Sequence, residues 1–264
     1  MSTIQTYTNA TRPSAASNVG LTIFNTTDKA INVSDGTSWR AYNSDGLSLG
    51  SSTYSLALDG TDDRVELGDL SFLDSASAFS LSFWVKIPST ATGSLMFYQS
   101  GSGFENSIGF YQSTYVDFLV GKGPTNQYSG TRYQSNIKDN TWHHLAGVYN
   151  GSSLTIYLDG SVPAPQVTIG TAVPTSTRPT AGEDARIGSN TDDGEEMNGH
   201  MDDFAIFDAA LTASEVSNIK DNAFYPASKL KHLYKFENNF NDSFGSVNGT
   251  AQANATTTNS TARP

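Results

Sequence analysis

Runs of alternating apolar and polar residues, bounded by Gly, Asn, Asp and Ser, recur along this chain at strand length. In Phe79-Ser80-Leu81-Ser82-Phe83-Trp84-Val85-Lys86, the side chains of Phe79, Leu81, Phe83 and Val85 share one face. Ser80, Ser82, Trp84 and Lys86 share the other. Trp84 is read as a packing residue of that second face rather than an aromatic platform, because strands of a sandwich often carry apolar side chains on both faces. Trp142 to Tyr149 and Leu154 to Gly160 are two further strand-like runs, and Asn150-Gly151 between them predicts a hairpin. The strand pattern breaks once for a helix: Thr212 and Glu215 stand at capping-box spacing, with Val216, Ile219 and Ala223 on the inward side. The pattern predicts an all-β protein whose residues 54–222 form an antiparallel two-sheet sandwich with one short helix over 212–223.

The two ends read differently. Residues 1–46 hold short strand-like pieces, Leu21 to Phe24, Ala30 to Val33 and Ser38 to Tyr42, with Asn-Thr-Thr-Asp and Ser-Asp-Gly-Thr turns between them. This is a small β meander with apolar side chains (Phe24, Trp39, Tyr42) and too few residues for a core of its own, so it is expected to dock against a partner. Residues 251–264 are a Thr, Asn and Ala tract expected to be a flexible tail.

Charge and composition narrow the function. With 26 acidic against 15 basic residues the net charge is −11, which repels phosphate backbones, so nucleic acid is excluded as a partner. The chain has no cysteine, hence no disulfide, thiolate metal site or cysteine nucleophile. No segment approaches bilayer-spanning length, and the start carries neither a basic region nor an apolar run, so no membrane insertion and no secretion signal are expected. The acidic run Asp192-Asp193-Gly194-Glu195-Glu196 is read as solvated surface.

Four segments, in order, carry a family resemblance: Ser55 to Leu67 with its Asp59-Gly60-Thr61-Asp62-Asp63, the Phe79 to Lys86 strand, Trp142-His143-His144-Leu145-Ala146 with Leu158-Asp159-Gly160 after it, and Ala185-Arg186-Ile187-Gly188 followed by Met201-Asp202-Asp203-Phe204 and the Leu211-Thr212 helix start. Together they resemble the laminin-G-like, concanavalin A-like jelly roll, which implies residues 47–250 as the domain and binding of glycans, calcium or proteins as its usual work. A further segment, Leu230 to Thr250, resembles one that ordinarily precedes this domain; here it follows it. It either folds back onto its own sandwich as a permuted strand or completes a neighbouring copy. The stretch from Thr11-Arg12-Pro13 to Ser38-Trp39 is similar to a small module near the ends of tailed-phage fibre and virion surface proteins.

The resemblance also implies a calcium site. Asp242, Gly245 and Asn248 match the family's D-x-x-G-x-x-N turn, and Asp202 is the first Asp of its M-D-D strand, so Ca2+ held by Asp202, Asp242 and Asn248 is the implied structural cofactor. The other reading of that turn is an Asx turn that closes a strand connection. No catalytic residue is predicted: related glucanases carry their two carboxylates as E-x-D-x-x-E on one strand, and this chain has no such strand. His143 and His144 face opposite sides of their strand and cannot share a metal.

These expectations describe a non-enzymatic structural surface protein of a tailed-phage virion, a head decoration, head fibre or tail fibre, whose jelly roll meets host-surface glycans. It is expected as a homo-oligomer, a trimer, held on capsid or tail proteins through residues 1–46. The alternatives are an extracellular bacterial carbohydrate-binding or adhesin module and, behind it, a polysaccharide-degrading enzyme.

Overall fold

The computed structural model describes residues 4–8, 10–25, 30–34, 39–42, 52–91, 94–99, 106–111, 114–122, 127–135, 137–170, 172–179, 182–190, 195–222 and 225–259. The chain divides into two compact units, one of Met1–Ser51 with Ser217–Lys229, the other of Ser52–Val216 with Leu230–Pro264.

In the first unit β1 (Gln5–Tyr7), β2 (Thr22–Asn25), β3 (Ala30–Ser34) and β4 (Trp39–Tyr42) form one sheet in that order. The β2-β3-β4 meander matches the three pieces read from the sequence, and β1 adds a parallel pair with β2. Ile23 is buried and Phe24 is exposed, as alternation requires. The side chains of Trp39 and Tyr42, and the boundary at residue 46, lie outside the described residues.

The second unit is the sandwich. Its strands are β5 (Ser55–Asp59), β6 (Arg64–Asp69), β7 (Phe79–Lys86), β8 (Ser94–Gln99), β9 (Asn106–Tyr111), β10 (Tyr115–Lys122), β11 (Gln127–Gln134), β12 (Trp142–Tyr149), β13 (Leu154–Leu158), β14 (Gln166–Gly170), β15 (Asp184–Ile187), β16 (Asn198–Phe207), β17 (Leu230–Tyr234), β18 (Thr250–Gln252) and β19 (Thr256–Thr258). One sheet has eight strands in the order β14-β11-β10-β9-β8-β15-β6-β18; the other has β13-β12-β7-β16-β5-β19, with β17 also on β16. Pairing in both sheets is antiparallel among the described residues. The fold is the predicted jelly-roll sandwich.

Alternation sets what lies between the sheets. Phe79, Leu81, Phe83 and Val85 of β7 join Phe97, Ile108, Phe118, Val120, Leu145 and Ile187 in one apolar core. Phe204 stacks on Phe83 at 5.3 Å and on Phe97 at 5.6 Å, which ties one sheet to the other. Each such ring, fully buried, contributes about 1.5–3 kcal/mol. Trp84, on the opposite face of β7, meets the buried His144 ring edge to face at 5.5 Å, so it packs as expected.

The β12-β13 hairpin forms with a longer loop than a two-residue Asn-Gly turn. Tyr149 pairs with Leu154, and the Asn150 Oδ1 accepts from the amides of Ser152 (3.0 Å) and Ser153 (2.8 Å), closing residues 150–153 through a side chain. The helix α1 (Ala213–Lys220) starts on its predicted capping box: Thr212 N donates to Glu215 Oε2 at 2.7 Å, and Glu215 N to Thr212 Oγ1 at 3.2 Å. Ala223 lies outside the described residues.

The permuted segment closes its own sandwich. β5 pairs with the first half of β16 (Asn198 to Met201) and β17 with the second half (Phe204 to Phe207), and the register breaks between Asp202 and Ala205, where Asp203 takes a φ of 46°. The tail differs from expectation. Residues 250–252 pair with β6 and 256–258 with β5, so this tract supplies an edge strand to each sheet. It has few apolar side chains to bury, but the exposed edges of β6 and β5 offer backbone partners that any sequence can use, and Thr suits a strand.

Candidate functional site

The outward face of the eight-stranded sheet is polar where its inward face is apolar. Because side chains alternate, Arg64 and Glu66 of β6, Arg186 of β15, Tyr98 of β8, Ser107 of β9, Asp117 and Leu119 of β10 and Arg132 of β11 all turn outward from the core. The registers join Thr250, Glu66, Arg186, Tyr98, Ser107, Leu119, Gly130 and Ile169 into one row across all eight strands.

Part of this face is covered: Tyr98, Ser107, Asp117 and Leu119 are buried although they point away from the core. Gly130 belongs to the same part, since a Cβ there would stand 2.4 Å from Leu119 Cδ2 and 2.6 Å from Phe118 O.

Two ion-pair groups frame the row. Arg132 meets Asp117 through two parallel bonds, Nε to Oδ1 at 2.7 Å and Nη2 to Oδ2 at 2.6 Å, and its guanidinium lies 5.0 Å from the Tyr115 ring centroid. At the other end Glu66 accepts from Arg64 Nε (3.3 Å) and Gln252 Nε2 (3.0 Å), with Arg186 Nη2 3.8 Å away and Arg186 Nη1 bonded to Asn190 O at 3.0 Å.

The sequence reading missed this face. The signal was present as charged residues inside otherwise apolar strands: Arg64 and Glu66 flank Val65, Arg186 precedes Ile187, and Asp117 stands between Val116 and Phe118. Nothing in the sequence said that these strands share one sheet.

The residues proposed for calcium occupy a second place. Asp242 and Asn248 come together in one turn, where Asp242 N donates to Asn248 Oδ1 at 3.0 Å. The Asp242 carboxylate accepts from the amides of Leu233 (3.0 Å), Phe244 (3.1 Å), Gly245 (2.9 Å) and Val247 (3.3 Å), and lies 2.6 Å from His232 Nδ1. Burial raises its pKa, but the bonds from His232 and from the Leu233, Gly245 and Phe244 amides outweigh this and hold it below the ordinary value.

Asp202 sits on β16 with no exposed surface, taking a hydrogen bond from the Ser52 hydroxyl and one from Asp203 N at 2.8 Å. Calcium needs several open oxygens. Here the Asp242 and Asn248 oxygens are already committed to backbone amides, so the geometry is that of an Asx-type turn and does not fit an ion held between these residues without breaking it.

A different carboxylate group does converge, in the Asp59-Gly60-Thr61-Asp62-Asp63 turn. One oxygen from each of Asp59, Asp62 and Asp63 lies within 4.8 Å of the others. Two of these aspartates also serve the turn: Asp59 Oδ1 accepts from Thr61 N, and Asp63 accepts from Asp59 N and Asn254 N. The acidic residues 191–194 lie outside the described residues.

His143 and His144 face opposite sides, as read. His144 is buried with Nε2 2.9 Å from Ser82 Oγ, closed to any substrate. His143 lies between Asp159 (2.9 Å) and Asp139 (3.3 Å), and its bond to Asp159 raises its pKa despite burial.

Among solved structures, a candidate carbohydrate-binding protein of Bacteroides ovatus is similar at 16% identity and a TM-score of 0.55, covering 79% of this chain and 60% of that one. The binding domain of botulinum neurotoxin DC, solved with rat synaptotagmin II, is similar at 18% identity and a TM-score of 0.50, covering 74% and 46%. The serotype G binding domain gives 13% and 0.50, covering 63% and 42%. The chain thus spans less than two thirds of each of these proteins, and at these identities the likeness is one of fold. No curated protein sequence matches. The profile of one family matches residues 59–217, more than half of the chain, and on that match the protein belongs to the concanavalin A-like lectin/glucanases superfamily, in its laminin-G branch.

Proposed function

We propose that this protein is a non-enzymatic glycan-binding module displayed on a surface, and that it binds on the outer face of the eight-stranded sheet. The observation that carries this reading is that the outer face of this sheet holds partly exposed polar groups at both ends of one row, Arg64, Glu66 and Arg186 at one end and Arg132 over the Tyr115 ring at the other. The superfamily, and the naming of the Bacteroides relative for carbohydrate, agree with it.

Against catalysis stands the sequence itself, which carries no E-x-D-x-x-E strand of the kind related glucanases use.

The surface is read as that of a tailed-phage virion, with residues 1–46 docking on capsid or tail proteins as part of a homo-oligomer, and with an extracellular bacterial adhesin as the alternative. The resemblance of residues 11–39 to virion modules supports the first. No helix among the described residues is long and apolar enough to cross a membrane.

Calorimetry of the full chain against neutral, carboxylated and sulfated oligosaccharides tests the binding reading. Saturable binding lost on Tyr115→Ala, which removes a half-buried ring of this face, supports it. No binding to any of them overturns it. Attachment of the full chain to virions lacking it, against a chain without residues 1–46, tests the display reading; equal attachment refutes docking through that segment.

A further inference from the structure

The four-stranded sheet of the first unit is turned inside out. Alternation and register divide its side chains between two faces. One face carries Ile23 and Asn25 of β2 with Asn32 and Ser34 of β3, and all four are buried although three of them are polar. Ser34 Oγ donates to Ala15 O at 2.8 Å, so the short turn Ala15–Ser17 covers this side.

The other face carries the row Thr6, Phe24, Ile31 and Tyr42, one position from each strand. Phe24 is 39% and Ile31 38% exposed, and Ile4, two positions before Thr6, is 51% exposed. Phe24 and Ile31 are direct partners in the ladder, so they make one apolar spot rather than two scattered ones. Folding ordinarily buries such side chains and leaves asparagine and serine in water. The reversed arrangement leaves an apolar surface that a partner would gain by covering.

Charge selects the partner. In residues 1–46 the side-chain charges cancel, with Arg12, Lys29 and Arg40 against Asp28, Asp35 and Asp45. The whole excess of −11 therefore lies in residues 47–264. Two copies of the chain repel through those residues, and only the neutral module lets them meet without that repulsion. The row itself has no charged residue, and Arg40 enters one row away on the edge strand β4. Such a face gives a charged partner no sign to read, whereas it is complementary to its own copy.

Size sets the strength. Four strands about 4.8 Å apart and four residues at about 3.3 Å each give a face of roughly 19 by 13 Å. This is about a third of the roughly 800 Å2 that each partner buries in a standard interface, so the contact is a reversible one.

We propose that the Phe24 and Ile31 face is where a second copy of this chain docks, the two apolar faces packing as sheet on sheet. This rests on the homo-oligomer of the display reading and names its contact; it is independent of glycan binding.

The test is sedimentation velocity of the full chain from micromolar to near-millimolar concentration, at low and high salt. Association is expected to rise with concentration and not to weaken in salt, which screens the repulsion between acidic surfaces and leaves apolar contact intact. Phe24→Asp and Ile31→Asp should each weaken it at least about tenfold, because each places an unpaired charge in the contact. Both side chains are partly exposed, so the module should keep its fold; Phe24→Thr, which suits a strand, repeats the test should an Asp variant unfold.

A chain monomeric at every concentration, association unchanged in both Asp variants, or association that salt dissolves overturns this inference. Monomers that still attach to virions through residues 1–46 overturn it and leave the display reading standing. Association lost in the variants, with equal attachment by a chain lacking residues 1–46, does the reverse.

Discussion

Replacing Asp242 tests whether its turn is held by hydrogen bonds or by an ion. The side chain is fully buried and accepts four backbone amides at 2.9–3.3 Å besides its 2.6 Å contact with His232. Removing the carboxylate in Asp242→Ala leaves those amides and the histidine without their acceptor. An unsatisfied buried donor costs about 1–3 kcal/mol, but the turn amides of Phe244 and Gly245 can reach water, so the sum is not additive. A loss of about 3–5 kcal/mol is expected, as for breaking one side of a buried pair. Asp242→Asn keeps one acceptor oxygen and should lose about half of that.

The acid limb adds a second signature. The folded pKa of Asp242 lies below its unfolded value of 3.8, so the carboxylate contributes stability that is present above that pH and lost as pH falls through the lower folded value. The Asn variant should be flatter below pH 3.8 than the native chain. Urea unfolding followed by tryptophan fluorescence, with calcium and with chelator, reads both effects. Equal losses in the two conditions are expected. A loss seen only with calcium present, or a change under about 0.5 kcal/mol in the Ala variant, would falsify the hydrogen-bonded turn.

Three further outcomes follow from the same kind of accounting. Gly245→Ala should destabilise by about 1–3 kcal/mol, because its Cβ would stand 2.4 Å from Asp242 Oδ2 and 2.5 Å from Lys231 O; an unchanged unfolding midpoint refutes the close approach. Gln166→Ala should cost about 1–3 kcal/mol, since its amide stands in for a next strand on the edge of β13, accepting from Ile156 N at 3.1 Å and donating to Ile156 O at 2.6 Å; hydrogen exchange at Ile156 should rise in the variant, and an unaltered rate counts against it. His143, whose pKa is raised first by its bond to Asp159, contributes stability that is full below its unfolded value of 6.5 and lost as pH rises through the higher folded value; the melting temperature should fall across that window in the native chain and less in His143→Gln, and parallel curves would contradict this.

Much of the architecture was legible because it is local. The period-two alternation of Phe79 to Lys86 assigns its faces, and the core takes the predicted one. The Thr212 and Glu215 spacing starts the helix, because a capping box is satisfied within four residues. The Asn150 loop was only half legible: Asn-Gly announced a turn, but its length depends on a side-chain bond to Ser153 that dipeptide preference does not encode. The tail was misread because edge pairing is a property of the partner strand; residues 250–258 look inert until β6 and β5 present unfilled backbone edges.

The sequence by itself determined the fold class, the identity of the inward residues, the absence of thiol chemistry and the turn around Asp242 and Asn248. Each follows from nearest-neighbour spacing or from composition. Only the tertiary structure decided what those pieces do together. It spent the Asp242 oxygens on the amides of Leu233 and Val247, placed β17 on its own β16, and drew Arg64 and Arg186, 122 positions apart in sequence, onto one Glu66. The physical reason is the strand order. β15 inserts between β6 and β8, so residues remote along the chain become neighbours at one strand spacing, and no pattern read along the chain contains that adjacency.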